Sequence, residues 1–165
     1  MNTQNTGMFT AKIKRMSADK AYMKKLDLNK AAEEFDMISS DARLFYNPET
    51  GEFCCIFENI DPEYDDSEKL EDGRWIAAPE QYEINEYRMM VDFAAGVTDP
   101  HTRELLSVAL DGKGAFRRFR DVLDRTGLTD EWYAFRHDAY VIIVREWCED
   151  HGIPYEGTSS DNCSE

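Results

Sequence analysis

The stretch Ala42–Phe57, ARLFYNPETGEFCCIF, constrains this chain more than any other. Two short runs of aromatic and aliphatic residues flank NPETG, where proline and glycine stand at the positions a tight turn requires. Proline pre-sets a turn-compatible φ and glycine tolerates positive φ, so the pattern predicts a β-hairpin. The following stretch, ENIDPEYDDSEKLEDGR, is acidic, interrupted by proline and glycine, and reads as a loop. A short third strand is expected after it at Trp75–Ala78.

On both sides of the hairpin the hydrophobic period becomes helical. LDLNKAAEEFDMIS places Leu28, Ala31, Ala32, Phe35 and Ile38 on one face, with Asp27 or Asn29 as the N-cap. From Ile84 onward, INEYRMMVDFAAGV sets Tyr87, Met90, Val91 and Ala94 on one side, with Asn85 as cap and Gly96 near the end. Asp99–Pro100 opens a second helix in this half, since proline fits the first helical turn. Leu105, Leu106, Ala109 and Leu110 form its stripe and Gly112 closes it. A third helix carries Ala115, Phe116, Phe119, Val122 and Leu123 inward and ends near Gly127. Thr129 then caps a long final helix reaching about His151, with Trp132, Phe135, Ala139, Ile142, Ile143 and Trp147 inside and Tyr133 and Arg136 facing outward. The expected class is α+β: a small antiparallel sheet, a hairpin plus a short third strand, packed with a mainly helical C-terminal half of about four helices.

The chain has 165 residues, a length suited to one domain with one core. Residues 26–153 are expected to form that domain, between a basic N-terminal extension, 1–25, and a polar tail, 154–165, which reads as disordered. A hydrophobic content of 42% and an aromatic content of 12% supply enough apolar surface for a packed core. No apolar run approaches the roughly 20 residues of a membrane-spanning helix, and the N-terminus lacks the apolar region of a secretory signal. A cytoplasmic protein is expected.

Cysteine usage agrees. Cys54 and Cys55 are adjacent, so on a strand they point to opposite faces and neither bond each other easily nor share a tetrahedral metal. Cys148 falls in a helical pattern and Cys163 in the tail, and no CxxC occurs. All four read as reduced thiols.

The blocks GKGAFRRFRDVL, EWYAFR and EWCEDHGI, with LDLNKAAEEF, the hairpin around NPETGEF, and EYRMMVDFAAGV upstream, resemble the uncharacterised bacterial protein family 0158. The resemblance spans roughly Leu26 to Ile153, and GKGAFRRF is its most specific element. It implies a bacterial or phage-related cytosolic protein with an α+β layout. No activity, cofactor or catalytic residue comes with it. Residues 1–25 fall outside its pattern.

Charge supplies the functional clues. The net charge is −15, yet residues 1–30 carry a balance of +5, leaving −20 for the remainder. A body this acidic repels bare nucleic acid over most of its surface and accommodates a basic partner more easily. Candidate docking carboxylates are Asp61, Glu63, Asp65, Asp66, Glu68, Glu71 and Asp72 of the acidic loop. Their spacing lacks the glycine and glutamate of a calcium loop, since Asp66 and Asp72 stand at those positions. The competing anion-binding candidates are Gly112, Lys113, Gly114, Arg117 and Arg118, because a helix N-terminus with nearby glycines and cations attracts anions. A helix–helix turn explains the glycines equally well. Arg117–Asp121, Arg120–Asp124 and Asp121–Arg125 stand four residues apart and are expected to pair, each contributing about 0.2–0.5 kcal/mol.

His101, His137 and His151 form no recognisable catalytic or metal motif, and no HExxH or GxSxG is present. No cofactor or metal is implied. The leading expectation is a non-catalytic interaction or regulatory protein whose acidic surface binds another macromolecule, a basic-surfaced protein of which a nucleic-acid-handling one is a candidate, one form being nucleic-acid mimicry. A nucleic-acid or nucleotide-binding protein using Lys113, Arg117 and Arg118 is the alternative, and an enzyme of unassigned type stands third.

Overall fold

A computed structural model describes residues 23–57, 67–71 and 74–157. Its order is β1 (Leu26–Asp27), α1 (Leu28–Asp36), β2 (Ala42–Asn47), β3 (Glu52–Phe57), a 3-10 turn (Ser67–Leu70), β4 (Ile76–Ala77), α2 (Glu86–Gly96), α3 (Pro100–Ala109), α4 (Ala115–Thr126), α5 (Thr129–His151) and β5 (Tyr155–Glu156). The fold is α+β, with a three-stranded antiparallel sheet in the order β3-β2-β4.

The hairpin forms where the turn chemistry predicts. Asn47 pairs with Glu52, and the Asn47 side chain accepts from the Glu49 and Thr50 N–H groups at 3.0 and 3.3 Å. Those bonds satisfy a buried amide while tightening the turn. Gly51 sits at φ +74°, and the Lys24 side chain lies 3.0 Å from where a Cβ would be. The third strand is two residues long, and Ala78 prolongs its pairing by donating to the Leu44 carbonyl at 2.8 Å.

β1 and β5 pair in parallel, Leu26 with Tyr155 and Asp27 with Glu156. The structured part of the chain therefore continues beyond residue 153, and its two ends are clasped together. Asp27 also N-caps α1, its carboxylate accepting from the Asn29 and Lys30 N–H groups. Leu28, Ala31, Ala32 and Phe35 of that helix are buried, as is Ile38 just past its end.

α5 is the spine on which the other layers meet. Trp147 packs its indole against Phe35 of α1 at 5.4 Å and Tyr46 of β2 at 6.0 Å, and its Nε1 donates to the Ala77 carbonyl at 2.9 Å. At the other end of α5, Trp132 and Phe135 meet Phe93 of α2 and Phe119 of α4, with neighbouring ring centroids 5.0–6.2 Å apart. Edge-on aromatic contacts of this kind contribute beyond their buried area.

Several expected details are corrected. Tyr87, Leu105, Phe116 and Ile142 are exposed rather than core. In α2 the inward face is Met89, Met90, Phe93 and Ala94, because Phe93 must reach the α4–α5 aromatic cluster. Tyr87 instead lies at the edge, its hydroxyl donating to the Leu110 carbonyl at 2.9 Å. Phe116 stands about 100° around α4 from Ala115, which takes the inward position. Thr129 is the first residue of α5 and not its cap; its hydroxyl donates to Asp124, and the chain enters through Leu128.

Arg136 is also not the outward-facing residue expected. Its guanidinium lies between Asp36, at the end of α1, and Glu86, at the start of α2, with a bond of 2.8 Å to the first and 2.9 Å to the second. Burial opposes its charge, but Glu86 and Asp36 outweigh burial, and its pKa is raised. The same guanidinium lies over the Tyr140 ring, 5.3 Å from its centroid. Replacing it by alanine leaves two carboxylates without their common partner. We expect Arg136→Ala to lower stability by about 2–3 kcal/mol and Arg136→Lys to recover only part, since an ammonium cannot form the fork. Urea unfolding midpoints check this; an unchanged midpoint for Arg136→Ala would remove the bridge from any account of stability.

Burial pushes the Tyr140 hydroxyl up to about 12, and burial followed by the Glu149 charge does the same to the Cys148 thiol. Both groups are neutral in either state below their unfolded values of roughly 10 and 8.5. Above those values the unfolded chain ionises first, so stability is full below about pH 8.5 and falls as pH rises towards 12. Thermal unfolding between pH 8 and 11 should show this decline, and Cys148→Ala should delay its onset towards the tyrosine range.

Candidate functional site

The anion-binding candidates come first. Gly112 and Gly114 adopt φ of +73° and +77°, so the DGKG stretch is a left-handed helix–helix turn, and Gly114 is the N-cap of α4. Lys113 and Arg117 are exposed. Arg118 folds back over the turn: its Nε donates to the Ala109 carbonyl at 3.1 Å, and its terminal nitrogens donate to the carbonyls of Asp111 and Lys113. The side chain thereby satisfies acceptors at the end of α3 and in the turn, where the helix dipole also favours a cation.

The expected pairs along α4 do not form. No ion pair joins Arg117 to Asp121 or Arg120 to Asp124 among the described residues; Arg125 bonds the Asp121 backbone carbonyl, and Asp124 accepts from Thr129. At exposed positions such pairs are worth little against side-chain entropy, which explains their absence. Of the acidic-loop candidates, Glu68 on the 3-10 turn and Glu71 just after it are exposed. Asp61, Glu63, Asp65, Asp66 and Asp72 lie outside the described residues, as do residues 1–22 and Cys163.

The feature that sequence reasoning missed is a cleft of ≈ 570 Å³ between the Ala77–Ile84 segment and the last two turns of α5. Ala78, Ile84 and Trp147 are buried in its floor and Ile143 lies partly buried beside them. Glu80, Glu83, Glu146 and Asp150 stand around it with Tyr82 and His151. The first two carboxylates are engaged. Glu80 pairs with Arg43 of β2 at 2.6 Å, and Glu83 accepts from the Glu80 N–H at 2.7 Å, shaping the turn that forms one wall.

Glu146 and Asp150 have no partner among the described residues, and they lie one helical turn apart at the C-terminal end of α5. Like charges at this spacing repel, and a helix C-terminus is itself negative. His151 is held by an Nδ1 contact to the Trp147 carbonyl at 2.9 Å and packs its ring 5.5 Å from the indole. Chemically the cleft offers an apolar floor and two carboxylates that are unpaired among the described residues, a combination suited to a long cationic side chain whose stem is apolar. The signal in the sequence was Glu146 and Asp150 at four-residue spacing beside Trp147. It was not interpretable without knowing that Ala77–Ile84 closes over them.

Elsewhere, no three His, Cys, Asp or Glu side chains among the described residues are placed to hold a metal ion. No helix among those residues is long and apolar enough to cross a membrane.

Fold and cleft together define a small α+β domain with an acid-rimmed groove at the end of its longest helix. The family model UPF0158, an uncharacterised protein family, matches residues 23–158, and the chain belongs to that family. Comparison with curated proteins and with solved structures finds no match.

Arg118→Ala should loosen the α3–α4 turn, because it leaves carbonyls of a helix end without their donor. We expect a loss of about 1–2 kcal/mol, with Arg118→Lys intermediate. Amide hydrogen exchange localised to residues 109–118 checks this, and unchanged protection there would contradict it.

Proposed function

We propose that the protein is a non-catalytic interaction protein that binds a basic segment of another macromolecule through its acidic surface, with the cleft beside Glu146 and Asp150 as the principal contact. The observation that carries this reading is a pair of carboxylates, without a partner among the described residues, beside an apolar floor. A lysine- or arginine-rich segment would place its methylene stems on Trp147 and Ile143 and its charged heads on the rim. The overall charge of −15 would draw such a partner in, and the same field disfavours nucleic acid at this face. A partner that itself handles nucleic acid has the required basic surface, and in that case the acidic face would compete with its nucleic acid.

A second reading keeps the helix start of α4 as an anion site. It is favoured by Lys113 and Arg117 standing exposed beside a helix N-terminus that has no side-chain cap. Arg118 is a weaker member of that set, because its guanidinium is engaged with backbone carbonyls.

Fluorescence anisotropy of the full chain with a labelled lysine/arginine-rich peptide tests the first reading. Binding is expected at low salt, weakening as salt rises, and falling about tenfold in Glu146→Lys/Asp150→Lys, in line with the loss of close charge pairs. An unchanged anisotropy throughout the titration would sink it. Labelled RNA and DNA form the second arm: binding that drops on Arg117→Glu would favour the α4 site instead.

A further inference from the structure

We infer that the cleft is occupied in the resting protein by the chain's own basic segment Lys12–Met16, so that a partner must displace it. This rests on the reading of the cleft as a site for cationic segments. Three observations converge on that occupant.

The first is complementarity. Lys12, Lys14 and Arg15 interleave with Ile13 and Met16, so five residues supply three cationic heads and two apolar side chains. The cleft presents the reverse, an apolar floor with the carboxylates of Glu146 and Asp150, unpaired among the described residues, above it. Other carboxylates on this protein are exposed, but these two stand beside an apolar cleft at a helix C-terminus, which adds its own negative potential.

The second is where the chain leaves the fold. Leu26 donates its N–H to the Pro154 carbonyl at 2.9 Å, and Pro154 lies three residues past His151 on the cleft wall. Three Cα steps cover at most about 11 Å, and Lys24, whose N–H donates to the Pro48 carbonyl at 2.8 Å, is two steps from Leu26, whereas the eight residues from Met16 to Lys24 can span about 28 Å when extended. The basic segment is therefore tethered within reach of the cleft.

The third is the distribution of charge. The chain carries a balance of +5 in its first thirty residues against −20 in the rest, so its own N-terminal end is the first cation the cleft meets. A short tether holds such a segment at an effective concentration on the order of 1 mM. A segment that binds only weakly in isolation would then occupy the cleft most of the time, and an outside peptide would bind with a reduced apparent affinity.

The full chain carrying Lys12→Glu, Lys14→Glu, Arg15→Glu and Lys20→Glu tests this, because it removes the internal competitor and leaves the folded core unaltered. The labelled lysine/arginine-rich peptide is expected to bind this variant about tenfold more tightly than the unaltered chain. In the unaltered chain at low concentration, zero-length carbodiimide coupling is expected to join Lys12 or Lys14 to Glu146 or Asp150. Equal peptide affinity for the two proteins, weakened in both by Glu146→Lys/Asp150→Lys, would overturn the internal occupancy and leave the function reading intact. Coupling confined to other carboxylates would overturn it as well. No binding by the charge-reversed chain would overturn both.

Discussion

The contact on which this structure depends most is the indole of Trp147. Its ring is pinned between Phe35 of α1 and Tyr46 of the sheet, and its N–H reaches the Ala77 carbonyl on the edge strand. A three-stranded sheet with a two-residue edge strand is too small to be stable alone, and it must bury one face on something. Trp147 is the residue that makes the sheet, α1 and α5 share one core. The polar handle matters as much as the area, because it fixes the position of β4, and β4 leads directly into the Ala77–Ile84 wall. The cleft is thus a by-product of how the sheet is fastened to the long helix.

A second constraint is the use of arginine in a chain rich in acid. Two arginines do internal work of different kinds. Arg136 neutralises two carboxylates at the junction of three helices, and Arg118 closes a turn by donating to three carbonyls. Both tasks suit a planar group with several donors and suit lysine poorly. Arg118 thereby commits its donors to backbone, so the start of α4 is less available to an anion than a count of letters conveys. The block around residues 111–125 looks basic as text. In three dimensions two of its arginines, Arg118 and Arg125, donate to backbone carbonyls, and the other two, Arg117 and Arg120, are exposed with no ion pair among the described residues.

Local signals of this kind explain which features were legible beforehand. The hairpin, the caps at Asp27, Asn85 and Asp99, and the extents of the helices follow from residues within a few positions of one another. The errors arose where a residue's direction depended on partners far along the chain. Tyr87 and Phe93 are equally apolar by composition, and only the aromatic cluster from α4 and α5 decides which turns inward. Arg136 draws its partners from 100 and 50 residues away. β1 and β5 are two residues each, below any periodic signal, and they are recognisable only once Leu26–Asp27 and Tyr155–Glu156 lie side by side. The cleft belongs to the same group, since its walls are about sixty residues apart in the chain and neither is distinctive by itself.

The end of α5 is where local preference and actual sequence part company. At its start the helix follows the usual electrostatic rule, with Asp130 and Glu131 in the first turn. At its end a helix favours cations, yet the last two turns hold Glu146, Glu149 and Asp150 against Arg145 and His151. Glu149 has a structural use, accepting from the Tyr155 hydroxyl at 2.9 Å beside the β1–β5 clasp. Glu146 and Asp150 have none among the described residues. Two such carboxylates oppose the helix dipole, repel each other and stand beside an apolar floor that water solvates poorly. Stability alone would select against that arrangement, because replacing either by lysine relieves both penalties. A chain that departs from a local rule without a compensating contact does so most often where it binds something. On that argument the charge at the end of α5 fits the interface proposed above, whose other half would be positive.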